Sequence, residues 1–249
     1  MLIYHENNTI TFSLFSAFPD LVCALSTRKI GSLIVHKQLV ENALPLTAQI
    51  PVALNELVVM EQTHGNLVVT VDEDYAGKFV SGADGLITGQ KDLFLTVNTA
   101  DCVPLFFFDP IKKLVATAHA GWRGTLGRIA TEIIAHMLLL DSDPQDILVV
   151  IGPHIGTCCY SVPVERAQAL KQEFPQSMGV FQNQNQWYID LGILNKEQLM
   201  QVGVSPKHIE APIACTSCQN DVYFSYRKDT KNTFGEMLGI IGLRSYGLT

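Results

Sequence analysis

The chain has 249 residues, 47% of them hydrophobic, enough to bury one large core, and a single domain over residues 1–249 is expected. Its formal charge of −7 disfavours nucleic acid as the main partner, because duplex binding needs a positive footprint, and leaves small neutral molecules open. The opening Met1-Leu2-Ile3-Tyr4-His5-Glu6-Asn7-Asn8 is too polar for a secretory signal and no run of eighteen apolar residues occurs, so a cytoplasmic protein with no membrane contact and reduced cysteines is expected.

In chain order, residues 1–25 read as an N-terminal strand pair. Thr9-Ile10-Thr11-Phe12-Ser13-Leu14-Phe15 alternates with period two, and Leu21-Val22-Cys23-Ala24-Leu25 follows as a second apolar piece. Residues 33–56 carry a weak helical pattern broken by Pro45 and Pro51. Strands are expected near 57–60, 67–71, 93–98, 104–108 and 114–118, with a loop over 72–85 ending in the turn signal Asp84-Gly85. Asp84 is read equally as a turn former and as a site residue. Phe106-Phe107-Phe108 reads as core.

Ile129, Ala130, Ile133, Ile134, Met137 and Leu138 recur at three- and four-residue steps, which predicts one helix over 124–140. A buried strand over 147–152, a helix over 163–174 started by Pro163, a strand over 187–190, a helix over 195–202 and a strand over 208–213 complete the expected elements. The last segment read is Tyr223 to Arg227.

Chemistry concentrates in three turns that each follow an apolar run: Glu61-Gln62-Thr63-His64-Gly65, Asn98-Thr99-Ala100-Asp101-Cys102-Val103-Pro104, and Ala118-His119-Ala120-Gly121-Trp122-Arg123-Gly124. His64, Cys102 and His119 at strand ends are three ligands, the number of a catalytic zinc site with an open fourth position. The neighbouring glycines permit close approach of backbone or ligand. Arg123 adds a fork that suits an anion, and its turn opens a predicted helix whose free N–H groups would favour phosphate.

Other groupings are weaker. His208-Ile209-Glu210 with Cys215-Thr216-Ser217-Cys218 echoes a zinc deaminase signature, but only four residues separate Glu210 from Cys215 and the residue before Cys215 is Ala214 rather than proline. A structural zinc at Cys215 and Cys218 would need two more ligands, and no second close cysteine pair follows, so a plain structural role is favoured. The chain has no Gly-x-Ser-x-Gly elbow. A cysteine hydrolase using Cys102 with His119, a copper oxidase using the His₂Cys set, and a non-enzymatic metal-binding module are the alternatives. The seven histidines of the chain are few for a multicopper enzyme.

Several of these motifs together resemble one family. Gln62-Thr63-His64-Gly65, Ala83-Asp84-Gly85, Ala100-Asp101-Cys102-Val103-Pro104 and His119-Ala120-Gly121-Trp122-Arg123-Gly124 match the laccase-domain, or YfiH/YlmD-type, purine nucleoside phosphorylases, formerly described as polyphenol oxidases. Gly152-Pro153-His154-Ile155-Gly156, Cys158-Cys159-Tyr160 and Phe224-Ser225-Tyr226-Arg227 extend the match from about Ser26 to the C-terminus. The resemblance implies a layered α/β/β/α sandwich and Zn²⁺ on His64, Cys102 and His119, with copper the less favoured metal. It also implies phosphorolysis of adenosine, inosine, guanosine and methylthioadenosine, together with adenosine deamination. Purine nucleosides and phosphate are then the partners, Arg28, Gln62 and Arg123 the substrate-binding candidates, and Asp101, Cys102 and Arg123 the catalytic ones. Asp101 is read either as a proton shuttle or as a residue that orients ligands. Two departures stand out: Lys29-Ile30-Gly31-Ser32 follows Ser26-Thr27-Arg28, and Gly235-Glu236-Met237 puts an acid where the family tends to carry arginine. The oligomeric state is left open.

Overall fold

The computed structural model describes residues 1–35 and 40–245. Its strands begin with β1 (Leu2–Tyr4), β2 (Thr9–Phe12), β3 (Leu21–Ser26), β4 (Leu57–Met60), β5 (Val68–Thr70), β6 (Phe79–Val80), β7 (Gly85–Thr88) and β8 (Phe94–Thr99). They continue with β9 (Val103–Asp109), β10 (Leu114–Ala120), β11 (Leu148–Ile151), β12 (Ser161–Val162), β13 (Val180–Asn183), β14 (Gln186–Ile189), β15 (Ile209–Glu210) and β16 (Met237–Leu243). The helices are α1 (Leu44–Thr47), α2 (Trp122–Leu126), α3 (Ile129–Leu139), α4 (Val164–Glu173) and α5 (Leu191–Gln201).

One sheet has the order β1-β2-β3-β16-β8-β4-β6 and a second the order β15-β11-β9-β10-β7-β5; β12-β14-β13 form a small third sheet. Side chains on a strand alternate between its faces, and β9 shows what that does here. Phe106 and Phe108 enter a core shared with Phe12, Leu25, Leu95 and Ile241 of the first sheet. Leu105 and Phe107 enter a different core, with Ile133 of α3, Leu170 of α4 and Leu194 of α5. On β16, Leu238 and Ile240 pack outward against Leu33, Ala43 and Leu46. The layers therefore run α/β/β/α, as expected, with the central strands of both sheets buried on both faces. That is why β8, β9 and β10 read as continuous apolar runs rather than alternating ones.

Two differences from the sequence reading matter for the site. The helix expected over 124–140 is two helices, because Arg128 takes a left-handed conformation at φ 61° after Gly124 and Gly127 have weakened the first helix. And β16, which the sequence reading passed over, lies at the centre of the first sheet between β3 and β8. Its glycines hide it: a Cβ on Gly242 would collide with Phe94 Cδ1, and one on Gly239 would lie 2.6 Å from Phe106 Cζ. Close packing by neighbouring phenylalanines demands the residues that break the apolar run.

Smaller shifts follow local capping. Helix α5 starts at Leu191, earlier than expected, because Asp190 Oδ1 accepts the Ile193 N–H at 2.8 Å. The strand expected over 208–213 shrinks to β15. The stretch expected over 33–56 holds only α1 and short 3₁₀ turns, with residues 36–39 outside the described residues. No helix among the described residues is long and apolar enough to cross a membrane.

Candidate metal centre and cleft

β8 belongs to the first sheet and β9 to the second, so Ala100-Asp101-Cys102 is the crossover between the sheets. Asp101 takes φ 85°, which turns the chain and sets Cys102 at the mouth of the gap. His119 lies on β10, in register with Pro104 of β9. His64 follows β4, in a turn where both Gln62 (φ 57°) and His64 (φ 62°) are left-handed. Such conformations are costly for residues with a side chain and persist only when the surroundings hold them.

Asp84 is what holds them. Its carboxylate is fully buried and accepts the His64 N–H at 3.0 Å, the Gly65 N–H at 2.7 Å and the Thr63 hydroxyl at 3.0 Å. His119 Nδ1 lies 2.9 Å from Asp84 Oδ1, so the ring donates there and presents Nε2 to the cleft. A carboxylate behind a ligating histidine fixes its tautomer and orientation. Burial alone would raise the Asp84 carboxyl, but His119 and the Gly65 N–H outweigh it and hold it below the ordinary range. The turn signal at Asp84 was visible in sequence; its bond to a histidine 35 residues away was not.

His64, Cys102 and His119 converge, with their ligand atoms all within 4.8 Å of one another. The imidazole rings meet edge to face at a centroid distance of 4.6 Å. Burial pushes the Cys102 thiol up, but the two histidines overcome it and bring the thiol down to about 7. His119, which burial alone would lower, is raised to about 10 by Cys102 and Asp84. A Cβ on Gly121 would stand 3.1 Å from both Cys102 Sγ and His64 Cδ2, so only glycine leaves this cradle open. Two imidazoles and a readily formed thiolate suit a divalent ion of zinc or copper type, and the residues present fit such an ion.

The three candidate ligands line a cavity of about 740 Å³. Trp122, Tyr160, Tyr226 and Phe234 give it aromatic walls, and Arg123, Arg166 and Arg227 give it positive charge. Arg123 and Arg166 both stand over the Trp122 ring, at 4.3 and 4.5 Å from its centroid. Arg227 stands over Tyr160 at 5.3 Å. Arg166 and Arg227 were not among the candidates, since nothing in their spacing ties α4 or the 223–227 segment to the metal turns.

Other candidates move. Arg28 is not among the cavity residues. Its Nη2 donates to both oxygens of Asp229 and its Nε donates to the Tyr223 carbonyl at 3.1 Å, so this substrate-binding candidate is held in an internal ion pair. Gln62 lines the cavity, but its amide mimics a strand: Nε2 donates to the Asn98 carbonyl at 2.8 Å and Oε1 accepts the Asn98 N–H at 2.7 Å. Asp101 accepts from Thr216 Oγ1 at 2.6 Å on one oxygen and from the Arg227 N–H at 2.7 Å on the other. That fits the orienting alternative better than the shuttle. Helix α2 has only five residues, so the helix-end contribution expected at Arg123 falls away and its guanidinium charge remains.

The profile of the multi-copper polyphenol oxidoreductase laccase family matches residues 35–244. The chain belongs to that family. Among its relatives is the purine nucleoside phosphorylase YlmD of Bacillus subtilis, 37% identical over 77% of this chain and 72% of that protein. Adenosine deaminase RL5, from an unknown prokaryotic organism, is 33% identical over 79% of each chain. The crystal structure of YlmD from Geobacillus stearothermophilus superposes with a TM-score of 0.90 at 31% identity, covering 98% of this chain and 99% of that one.

Proposed function

We propose that this chain is a zinc-dependent purine nucleoside phosphorylase that also deaminates adenosine. The observation that carries the reading is the conjunction, in one cavity, of the His64–Cys102–His119 cluster, three arginines and an aromatic wall. The names of the relatives, phosphorylase and deaminase, support it.

A zinc ion held by His64, Cys102 and His119 would supply Lewis-acid polarisation and a more acidic water at neutral pH. The chain's own residues do the rest. Trp122, Tyr226 and Phe234 offer faces and edges against which a purine can pack, with Tyr226 and Phe234 already edge to face at 5.8 Å. In phosphorolysis a phosphate oxygen bonds to ribose C1′ while the C1′–N9 bond breaks and its electron pair leaves with the purine. Arg123 and Arg166, stacked on Trp122, would hold that phosphate beside the sugar. In deamination, water adds at C6 of adenine and ammonia leaves, and no phosphate is needed. Asp101 holds Thr216 and Arg227 against the crossover and so keeps Cys102 in place.

A copper oxidase is the rival suggested by the family's description, and a His₂Cys set suits copper. A multicopper enzyme needs further histidine-rich sites, and among the described residues the only other candidate metal cluster is made of cysteines alone. The deciding experiment incubates the purified protein with adenosine, with and without phosphate. Adenine and ribose 1-phosphate are expected with phosphate, and inosine without it. If neither product forms and the copper-loaded protein oxidises phenols, the nucleoside reading fails.

Asp84 gives a separate expectation. Asp84→Asn keeps the shape but weakens the bond that fixes the His119 tautomer, so zinc affinity should fall about 10- to 100-fold. Competition with a chromophoric chelator measures this, and unchanged affinity would sink the orienting role.

A further inference from the structure

The second cluster lies outside the cleft. Cys158 and Cys159 sit in the turn after Gly156, and Cys215 and Cys218 in a turn more than fifty residues later. The two segments are laced together by backbone: His154 N–H donates to the Ala214 carbonyl at 3.3 Å, and Thr216 N–H donates to the His154 carbonyl at 3.1 Å. That pairing brings the four sulfurs within 4.8 Å of one another. Cys218 Sγ lies 3.4 Å from Cys158 Sγ and also 3.4 Å from Cys159 Sγ. Along the sequence no partner pair follows Cys215 and Cys218; the partner pair precedes them and is supplied by the fold.

We propose that Cys158, Cys159, Cys215 and Cys218 form a second, structural zinc site. The dimensions agree. Four thiolates at a Zn–S distance of about 2.3 Å in a tetrahedron have S···S edges of about 3.8 Å. The 3.4 Å contacts and the 4.8 Å limit bracket that value. A disulfide does not account for the arrangement. Its sulfurs must close to about 2.05 Å, Cys218 is equally near two partners, and all four thiols are free. A multi-iron cluster would hold its cysteines farther apart, so a single ion fits.

The surroundings are those of a metal thiolate. Gly156 N–H donates to Cys215 Sγ at 3.2 Å and the Cys218 N–H donates to the same sulfur. Backbone donors of this kind orient ligating sulfurs and offset their charge. Gly156 has no Cβ to crowd them: one placed there would stand 3.3 Å from Cys215 Cβ and 3.5 Å from Cys158 Sγ. Arg227 Nη1 donates to the carbonyls of Cys159 at 3.3 Å and Ser161 at 3.1 Å, placing positive charge beside a centre that would carry a net negative one. Cys158 and Cys218 are exposed, which gives the ion a path in.

The fold has a use for such a staple. Residues 211–236 contain no helix or strand, yet they carry Tyr226, Arg227, Phe234 and Glu236 to the cleft wall. An irregular segment of that length needs tethers. The facing loop carries Ile155 and Tyr160 to the same cavity. An ion on the four cysteines joins the two loops, and Thr216, between Cys215 and Cys218, bonds to Asp101 next to Cys102. Four protein ligands leave no open position, so the site is structural rather than catalytic.

The test starts from Cys102→Ala, which disables the cleft ligand set and leaves the second cluster whole. Elemental analysis of this variant, purified with added zinc, should find about one zinc per chain. Adding Cys215→Ser and Cys218→Ser should remove it. Because the triple variant could fail to fold, alkylation is run in parallel on the zinc-loaded wild type. Intact mass and peptide mapping should show Cys158, Cys159, Cys215 and Cys218 protected until a strong chelator is added. Absence of zinc in Cys102→Ala together with immediate alkylation of the four thiols would overturn the proposal. So would an intact mass lighter by the hydrogens of a disulfide between them. Neither result touches the nucleoside reading, which is scored by products of the wild type.

Discussion

Cys102→Ala should empty the cleft of its metal and reduce formation of both ribose 1-phosphate and inosine by about a hundredfold or more, the scale of a lost catalytic group. Cys102 is the only one of the three ligands that can bring a negative charge, and the two histidines already draw its thiol down to about 7 against the effect of burial. At neutral pH that ligand therefore releases its proton to a metal at little cost, whereas a thiol near its ordinary value of about 8.5 would resist. Alanine leaves two imidazoles, one of them bound to Asp84. If the proposed second site exists, elemental analysis reads a fall from two zinc ions per chain to one. A variant that retains the wild-type metal content and both products would show that Cys102 is not a ligand.

How much of this was legible in the sequence depends on what each residue's signal was. The three candidate turns were legible because each follows an apolar run that had to be a buried strand, so His64, Cys102 and His119 had to fall at strand ends. The layered architecture was reached through family resemblance, and the structure gives its physical cause in the two buried faces of β9 and β16. What failed to show were contacts made across long sequence separations. Asp84 reads equally as a turn former and as a site residue because its local signal is a turn; its partner His119 comes from another strand. Arg28 gave no sign of an internal partner because Asp229 is 201 residues away. The cysteine pairs looked unrelated because spacing reports neighbours along a chain, and the link between them is a backbone pairing of His154 with Cys215. β16 was hidden by glycines that packing against Phe94 and Phe106 requires.

Arg123→Ala should keep its zinc and lose phosphate-dependent cleavage by about 10²- to 10³-fold, the cost of removing one preorganised donor to developing charge. Deamination of adenosine should suffer much less. The chain carries a formal charge of −7, so an incoming phosphate is repelled overall and must be drawn by a local field. The cations that line the cavity are Arg123, Arg166 and Arg227, beside the acids Glu61, Asp101 and Glu236. Arg123 is exposed and stands over the Trp122 face, and among the described residues it has no ion pair of the kind that binds Arg28 to Asp229. Its fork therefore remains available to a planar pair of phosphate oxygens, which a lysine cannot match. Arg123→Lys should accordingly recover the charge but only part of the rate, with a raised KM for phosphate. Following ribose 1-phosphate and inosine separately in both variants decides the matter. An equal fall in the two products would mean that Arg123 supports the fold of the metal turn, and the phosphate would then have to be held by Arg166 and Arg227.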